Sequence, residues 1–168
     1  MQKDDTYFFH QTPTELAKDL INALALPASE RLYEPFRGEG AFYNAFPDMN
    51  PKDWSEITEG RDYKEYEGEY DWVITNPPFR LDTGAKRVNA FWYLIDYYTQ
   101  RAKKGIAFLA NDSCFGTLTP KRIALLNERG FYITKLIVCA VKKWRGRYYF
   151  FVLEKQQNPT VGFLLTNY

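Results

Sequence analysis

The sequence has 168 residues, which is the size of one domain. Its composition, with 45% hydrophobic and 26% charged residues, excludes a disordered or fibrous chain. No apolar run is long enough to span a membrane, the first residues are not those of a signal peptide, and Cys114 and Cys139 are expected as reduced thiols of a cytoplasmic protein. The net charge of +1 hides an asymmetry, because residues 1–80 carry 8 basic against 16 acidic side chains and residues 81–168 carry 14 against 5. This asymmetry indicates a half that faces nucleic acid, with solvated surface charge as an equally good alternative.

The first half of the chain predicts a helix followed by three strands. We expect Thr12 as the helix N-cap, Pro13 at the first helical position, Glu15 closing a capping box and Pro27 ending the helix. Strands are predicted at residues 31–34, 53–57 and 70–75, with a brief helix at 41–46 between the first two.

The second half continues the alternation and then changes to strands. Helices are predicted at residues 89–101 and 120–128, the second ended by Gly130, with an apolar strand at 105–110 between them. Strands at 132–141 and 147–154 follow, joined by a basic turn, and residues 161–165 are expected to add a last strand. The pattern predicts a single α/β domain over residues 1–168, with a mostly parallel sheet and an antiparallel C-terminal hairpin.

Two glycines mark the turn where the first strand gives way to a helix. In the segment Glu34-Pro35-x-x-Gly38-x-Gly40, glycine permits positive φ and lets a ligand approach the backbone. Glu56 follows about 20 residues later, where an acid can hold ribose hydroxyls, and Asp62 could accept a hydrogen bond from an adenine amine. A structural turn with two surface carboxylates is the alternative, but the order of the three features favours a nucleoside site.

The tetrapeptide Asn76-Pro77-Pro78-Phe79 follows an apolar strand and carries the most chemistry. Two prolines fix two φ angles and leave a rigid loop, in which the Asn76 amide oxygen and the Pro77 carbonyl are acceptors and Phe79 offers a stacking face. Two acceptors aimed at an adenine amine favour the pyramidal, positively charged nitrogen of a methyl-transfer transition state over the planar ground state. A Pro-rich turn with a core phenylalanine is the alternative interpretation.

The glycine turn continues to Phe42, and the segment Phe9-x-x-Thr12-Pro13 precedes it. Together with the Asn-Pro-Pro-Phe loop, these segments resemble the DNA adenine-N6 methyltransferases, in the gamma order of that family's motifs. The resemblance implies a Rossmann-like class I methyltransferase that binds S-adenosylmethionine and methylates N6 of adenine, with DNA as the expected substrate and no metal. It implies that Phe9, Thr12 and Pro13 flank the methionine moiety and that Glu34, Pro35, Gly38 and Gly40 surround its amino-acid portion. Glu56 would then hold the ribose, and Asp62 the cofactor adenine.

The sequence departs from the family pattern in three places. Phe79 replaces the commoner tyrosine, which the family tolerates because stacking is what matters, and the segment from Gly40 to Asp53 is short. The sheet uses almost the whole chain, so no separate target-recognition domain is expected. Sequence specificity should therefore be short, degenerate or supplied by a protein partner.

The same loop type also occurs in methyltransferases that act on RNA adenine or on a glutamine side-chain amide, and a non-catalytic nucleic-acid-binding module could retain the fold. The intact Asn76, Gly38 and Gly40 argue against the last. Paired cations in the second half favour a polyanionic substrate over a protein. We expect nucleic acid to contact the turn at 142–147, with Trp144 stacking on a base or folded back on the core, and further basic pairs as the next candidates. The expected contacts are Lys142, Lys143, Trp144, Arg145 and Arg147, followed by Lys86, Arg87, Lys121 and Arg122.

Overall fold

The computed structural model describes residues 11–155 except residues 85, 143 and 145. Phe9, Lys143, Arg145 and the strand predicted at 161–165 therefore lie outside the described residues. The helices are α1 (Thr14–Leu24), α2 (Ala41–Ala45), α3 (Ala90–Tyr98) and α4 (Pro120–Glu128). The strands are β1 (Leu32–Glu34), β2 (Lys52–Trp54), β3 (Trp72–Thr75), β4 (Arg80–Asp82), β5 (Arg87–Asn89), β6 (Gly105–Asn111), β7 (Phe131–Cys139) and β8 (Tyr148–Lys155).

Six of the described strands form one sheet, in the order β2-β1-β3-β6-β8-β7. The pairs β1–β2, β1–β3 and β3–β6 are parallel, whereas β8 runs antiparallel to both β6 and β7. This confirms the predicted α/β fold with a C-terminal antiparallel hairpin. From β1 the chain crosses to β2 on one side, and from β3 it crosses to β6 on the other. The carboxyl ends of β1 and β3 therefore flank a switch in strand order, which is where α/β sheets bind ligands.

Helices cover both faces of the sheet. On one face α1 buries Ala17, Leu20, Ile21 and Leu24 at helical spacing, and Phe42 and Phe46 from the α2 region join the same core. On the other face Phe91, Leu94, Ile95 and Tyr98 of α3 pack with Ile123 and Leu126 of α4. Residues 105–110 of β6 are all buried, which explains their continuous apolar run in a strand covered on both sides.

The start of α1 differs from the prediction. Pro13 occupies the N-cap position with non-helical angles and no side-chain cap, and Thr14 is the first helical residue. Thr12 precedes the N-cap and its hydroxyl accepts a hydrogen bond from Asn76, and Glu15 pairs with Lys18 instead of closing a capping box. The helix ends at Leu24, with Ala25 in the left-handed conformation, before Pro27 is reached.

Other differences concern strand and helix ends. Strand β2 stops at Trp54, so Glu56 lies beyond it and begins a turn of 3-10 helix at Ile57–Glu59. Asn89 caps α3 through its side chain, and the helix ends at Tyr98 before Arg101. The β4–β5 hairpin, which directly follows the Asn-Pro-Pro-Phe loop, was not predicted.

Candidate active site

Glu34 ends β1 and lies in the interior, with 2% of its surface exposed. Its Oε2 accepts a hydrogen bond from the backbone N–H of Tyr43 in the first turn of α2, at 2.7 Å. Burial raises the pKa of Glu34 well above its ordinary value, despite that hydrogen bond and the positive charge of Arg37. The carboxyl group at the end of β1 is therefore disfavoured in its ionised form, and a nearby cation would stabilise that form.

The turn after Glu34 needs its two glycines. Gly38 has φ of 51° and Gly40 has φ of 84°, both in the left-handed region that favours glycine. A Cβ on Gly38 would lie 3.3 Å from the Gln11 side chain, and one on Gly40 would lie 3.2 Å from Asn44. The turn therefore needs positive φ and is closely packed at both glycines.

Glu56 holds this turn in place. Its Oε2 accepts from the Gly38 N–H at 2.8 Å, and its Oε1 accepts from the backbone N–H and hydroxyl of Thr58 at 3.1 and 2.8 Å. Burial works against its ionisation, but these hydrogen bonds keep the pKa of Glu56 below its ordinary value. The three bonds leave acceptor capacity on Oε2, because a carboxylate has about four acceptor positions. Glu56 is thus an ionised acceptor beside the glycine turn.

The segment after Glu56 exposes an apolar side chain. Ile57 is 67% exposed, although it directly follows the buried Glu56. Asp62 begins the next 3-10 turn, where its carboxylate accepts from the Lys64 N–H at 3.0 Å. The guanidinium groups of Arg37 and Arg61 lie 3.8 Å and 4.1 Å from the centre of the Trp54 ring. Ile57 was missed in the sequence, where its position after an acid is the only signal.

Asn76 follows β3, which places it next to the glycine turn. Its Nδ2 donates to the Thr12 hydroxyl at 3.2 Å, which turns Oδ1 to the opposite side of the amide. The Thr75 hydroxyl donates to the Phe36 carbonyl at 3.5 Å and so ties the two strand ends together. No described residue donates a hydrogen bond to the Pro77 carbonyl. The loop therefore carries an oriented amide and a backbone acceptor at the switch in strand order.

A pocket opens beside this loop, and residues from several elements form its walls. Its lining includes Pro77, Pro78 and Phe79 of the loop, Asn89 and Phe91 at the start of α3, Asn111 at the end of β6, and Ser113 and Cys114 of the 3-10 turn that follows β6. Phe79 is 39% exposed, and its carbonyl accepts from the Ala90 N–H at 3.1 Å. The predicted loop therefore forms one side of a small pocket.

Solved structures of similar fold support this interpretation of the sheet. TrmN from Thermus thermophilus matches with a TM-score of 0.60 and 17% identity over 85% of this chain and 49% of its own. A protein described as an RNA methyltransferase from Pyrococcus horikoshii matches with 0.61 and 16%, over 89% and 88%. A protein described as the modification subunit of a type I restriction enzyme from Vibrio vulnificus matches with 0.62 and 11%, over 89% and 45%.

The fold is that of the Rossmann-like methyltransferases. The chain spans about half the length of TrmN and of the modification subunit, and 88% of the protein from Pyrococcus horikoshii. No model of a known protein family matches the sequence, and neither does any curated protein.

Basic side chains predicted to bind nucleic acid lie on two sides of the pocket. Lys86 and Arg87 belong to the β4–β5 hairpin and are exposed. On the other side the Arg147 carbonyl accepts from the Asp112 N–H at 3.1 Å, and Tyr148 is paired with Asn111. The predicted basic turn therefore returns to the sheet next to a pocket wall, although the structure describes Lys142 and Arg147 but not the two cations between them.

Of the remaining predicted contacts, Arg122 and Trp144 are engaged within the protein. The guanidinium of Arg122 donates to the Thr117 carbonyl at 2.7 Å and lies 4.7 Å from the Trp92 ring, whereas Lys121 is exposed. Trp144 packs partly against the core, with its ring 4.5 Å from that of Tyr148. Of the two expectations for Trp144, this packing fits the one in which the ring folds back on the core.

The described part of the chain has neither a membrane-spanning helix nor a cluster of metal-binding side chains. None of its helices is long and apolar enough to cross a membrane. None of its His, Cys, Asp and Glu side chains gather into a group of three or more that could hold a metal ion.

Proposed function

We propose that this protein transfers a methyl group from S-adenosylmethionine to the N6 amine of adenine in a nucleic acid, with DNA as its substrate. The observation that carries the proposal is the oriented amide of Asn76, held by Thr12 beside the glycine turn of β1. An adenine amine needs two acceptors and a nearby methyl donor. The acceptors and the nucleoside-type turn meet at the same switch in strand order.

The residues around the glycine turn fit the cofactor. S-adenosylmethionine or its demethylated product is bound in solved structures of this fold. The cofactor carries cationic groups, which suit the buried Glu34, and ribose hydroxyls, which suit the ionised Glu56. The exposed Ile57 offers an apolar surface to an adenine ring, and Asp62 lies one short turn further along. The methionine part of the cofactor would be surrounded by Thr12, Pro13, Pro35, Gly38 and Gly40. The same role is proposed for Phe9, which lies outside the described residues.

The chemistry assigned to this chain is recognition of a weakly nucleophilic amine. When bound, S-adenosylmethionine supplies an electrophilic methyl group on a positively charged sulfur. Asn76 Oδ1 and the Pro77 carbonyl accept from the two N–H bonds of the target amine and stabilise the charge that develops on its nitrogen. The amine becomes acidic only after methylation, so no strong base has to be present beforehand. Pro77 and Pro78 fix the loop, which limits the loss of these contacts by backbone motion.

The target base has to leave its stack, because a duplex hides the N6 face from the donor. Phe79 lines the pocket with part of its surface exposed, which suits a ring that stacks on an extruded base. The hairpin cations Lys86 and Arg87 and the turn that ends at Arg147 flank the same pocket. The phosphates on either side of an extruded base would contact these cations. The cations therefore favour a nucleic acid over a protein glutamine as the substrate.

The proposal is tested in two steps with the purified full chain. Calorimetry with S-adenosylmethionine and with S-adenosylhomocysteine should show one site per chain, and the absence of binding by both would exclude the enzyme. Labelled S-adenosylmethionine is then offered with single-stranded DNA, duplex DNA, RNA and a glutamine-containing protein substrate. Incorporation into DNA supports the proposal, whereas incorporation into RNA or protein alone assigns the substrate to the corresponding alternative. Cofactor binding without transfer to any of them would favour a non-catalytic binding module.

A further inference from the structure

Two asparagines in the pocket walls are held in the same way. Asn89 caps α3, with its Oδ1 accepting from the Phe91 N–H at 3.0 Å. Asn111 ends β6, with its Oδ1 accepting from the backbone N–H of Ser113 at 3.2 Å and from the Ser113 hydroxyl. In each case the amide oxygen is used by the protein. The amide NH₂ group is thereby turned away from the local backbone.

Neither NH₂ group is used by the described structure. No described residue accepts a hydrogen bond from Nδ2 of Asn89 or Nδ2 of Asn111, although both side chains line the pocket. Asn89 comes from the start of a helix and Asn111 from the end of a strand, so the donors lie on different walls. Phe79 and Pro78, which belong to the proposed catalytic loop, form a further wall.

We infer that Asn89 and Asn111 are the specificity-determining donors that make the pocket select adenine. This rests on the proposed function. The amine of adenine has a ring nitrogen on each side, N1 and N7, and both accept hydrogen bonds. The amine of cytosine has an accepting ring nitrogen on one side only, with a C–H on the other. Adenine matches this set, because the catalytic loop offers acceptors for the amine and each asparagine offers a donor for one flanking nitrogen. Cytosine would leave one of the two donors without a partner on the base.

The test uses single-stranded oligonucleotides with one target base, which is adenine, 1-deazaadenine or 7-deazaadenine. Each analogue replaces one accepting nitrogen by C–H and keeps the amine. For the wild-type protein, kcat/KM should fall about tenfold on each analogue, the effect of losing one hydrogen bond. Equal rates on all three substrates would overturn the inference while leaving the proposed function intact. No transfer to adenine itself would overturn both.

The variants Asn89→Asp and Asn111→Asp assign the donors individually. Aspartate preserves the cap oxygen and the size of the side chain, so these variants should fold, but it replaces the NH₂ donor by an acceptor. Each variant should methylate adenine more slowly than wild type and lose the discrimination against one of the two deaza analogues. Asn127→Asp, exposed on α4, makes the same charge change away from the pocket and should keep the wild-type pattern. If both pocket variants retained the full discrimination of wild type, the donors would lie elsewhere.

Discussion

Asn76 Nδ2 donates a hydrogen bond of 3.2 Å to Thr12 Oγ1, across 64 residues of sequence. The bond joins the segment before α1 to the loop after β3 and fixes the orientation of the amide. It makes Thr12, which lies just before the N-cap of α1, a positioning residue for Asn76. Two residues predicted separately, one for the cofactor and one for catalysis, are thus parts of one arrangement.

Replacement of Asn76 by alanine should reduce kcat at least a hundredfold, because one lost transition-state acceptor is worth about 3 kcal/mol. Cofactor affinity, measured by calorimetry, should stay nearly unchanged. Thr12→Val should lower kcat by a smaller factor, since it frees the amide to rotate but keeps the acceptor. Thr12→Ser, which retains the hydroxyl, is the matched control and should restore most of the rate. Wild-type turnover by Asn76→Ala would place the chemistry elsewhere.

Glu34→Gln should separate stability from cofactor binding. Because burial raises the pKa of Glu34, the folded protein holds this proton more tightly than the unfolded chain. Its contribution to stability is therefore greatest below the unfolded pKa and falls by up to about 1.4 kcal/mol per pH unit as pH rises towards the folded pKa. Glutamine keeps an oxygen for the Tyr43 N–H and does not titrate. Urea unfolding across this pH range should show a flatter profile and higher stability near neutral pH, with weaker cofactor binding.

The control for this prediction is Glu39→Gln, which removes an exposed carboxylate from the same turn. Its pH profile of unfolding should follow that of the wild type. A Glu34→Gln protein that is destabilised near neutral pH would show that Glu34 is charged and well paired in the free protein.

Glu56→Gln should loosen the glycine turn. A single amide oxygen can serve Gly38 or Thr58 but not both, and the new NH₂ group would face a donor. The loss of a charge-assisted hydrogen bond predicts a destabilisation of about 1.5–3 kcal/mol near neutral pH. Since the pKa of Glu56 is lowered in the folded protein, this stabilisation is present above the unfolded pKa and is lost as pH falls through the folded one. Denaturation curves should show the gap between variant and wild type narrowing in acid, whereas the exposed Glu65→Gln should show no such gap.

Phe79 should tolerate other flat rings. Phe79→Tyr and Phe79→Trp keep a stacking face and should retain most of kcat/KM on a DNA substrate. Phe79→Ala should lose about 1–3 kcal/mol of base binding, in line with stacking on single strands. Thermal unfolding of all three variants is the companion measurement. Equal damage to activity and stability by all three would mean that the ring serves only to pack the protein.

Binding to DNA should depend on the cations beside the pocket. Replacing Lys86, Arg87, Lys142 and Arg147 by glutamine should flatten the slope of log K against log salt by about 0.9 for each lost phosphate contact on a duplex. Cofactor affinity should not change. The control pair Lys103→Gln and Lys155→Gln lies at the amino end of β6, opposite the pocket, and should keep the wild-type slope. If the four-residue variant kept the wild-type slope, the nucleic-acid-binding surface would lie on another face of the protein.

The sequence predicted well what depends on local chemistry. The apolar run that became β6, the two glycines with positive φ and the prolines after β3 are recognisable because each requires its residue types at the position itself. The β4–β5 hairpin was missed because its two strands have three residues each, which is too short for an alternating pattern to be recognised. Glu56 was placed at the end of β2, but the strand stops two residues earlier and the carboxylate caps a turn.

What the sequence could not predict depends on contacts between distant segments. Nothing near Thr12 indicates that its hydroxyl faces Asn76. Asn111 could have been noticed as a polar residue at the carboxyl end of a predicted strand, where ligands bind. The direction of its amide, however, is set by Ser113, and the pocket it faces is completed by residues from α3 and the loop after β3.

The most direct test of the central claim is the chemical position of the transferred methyl group. DNA incubated with the protein and labelled S-adenosylmethionine is digested to nucleosides, which are separated and compared with standards, with Asn76→Ala as the inactive control. The proposed function predicts that the label elutes as N6-methyldeoxyadenosine and is absent from the control reaction. Label that elutes as a methylated cytosine, or that is transferred equally by Asn76→Ala, would contradict it.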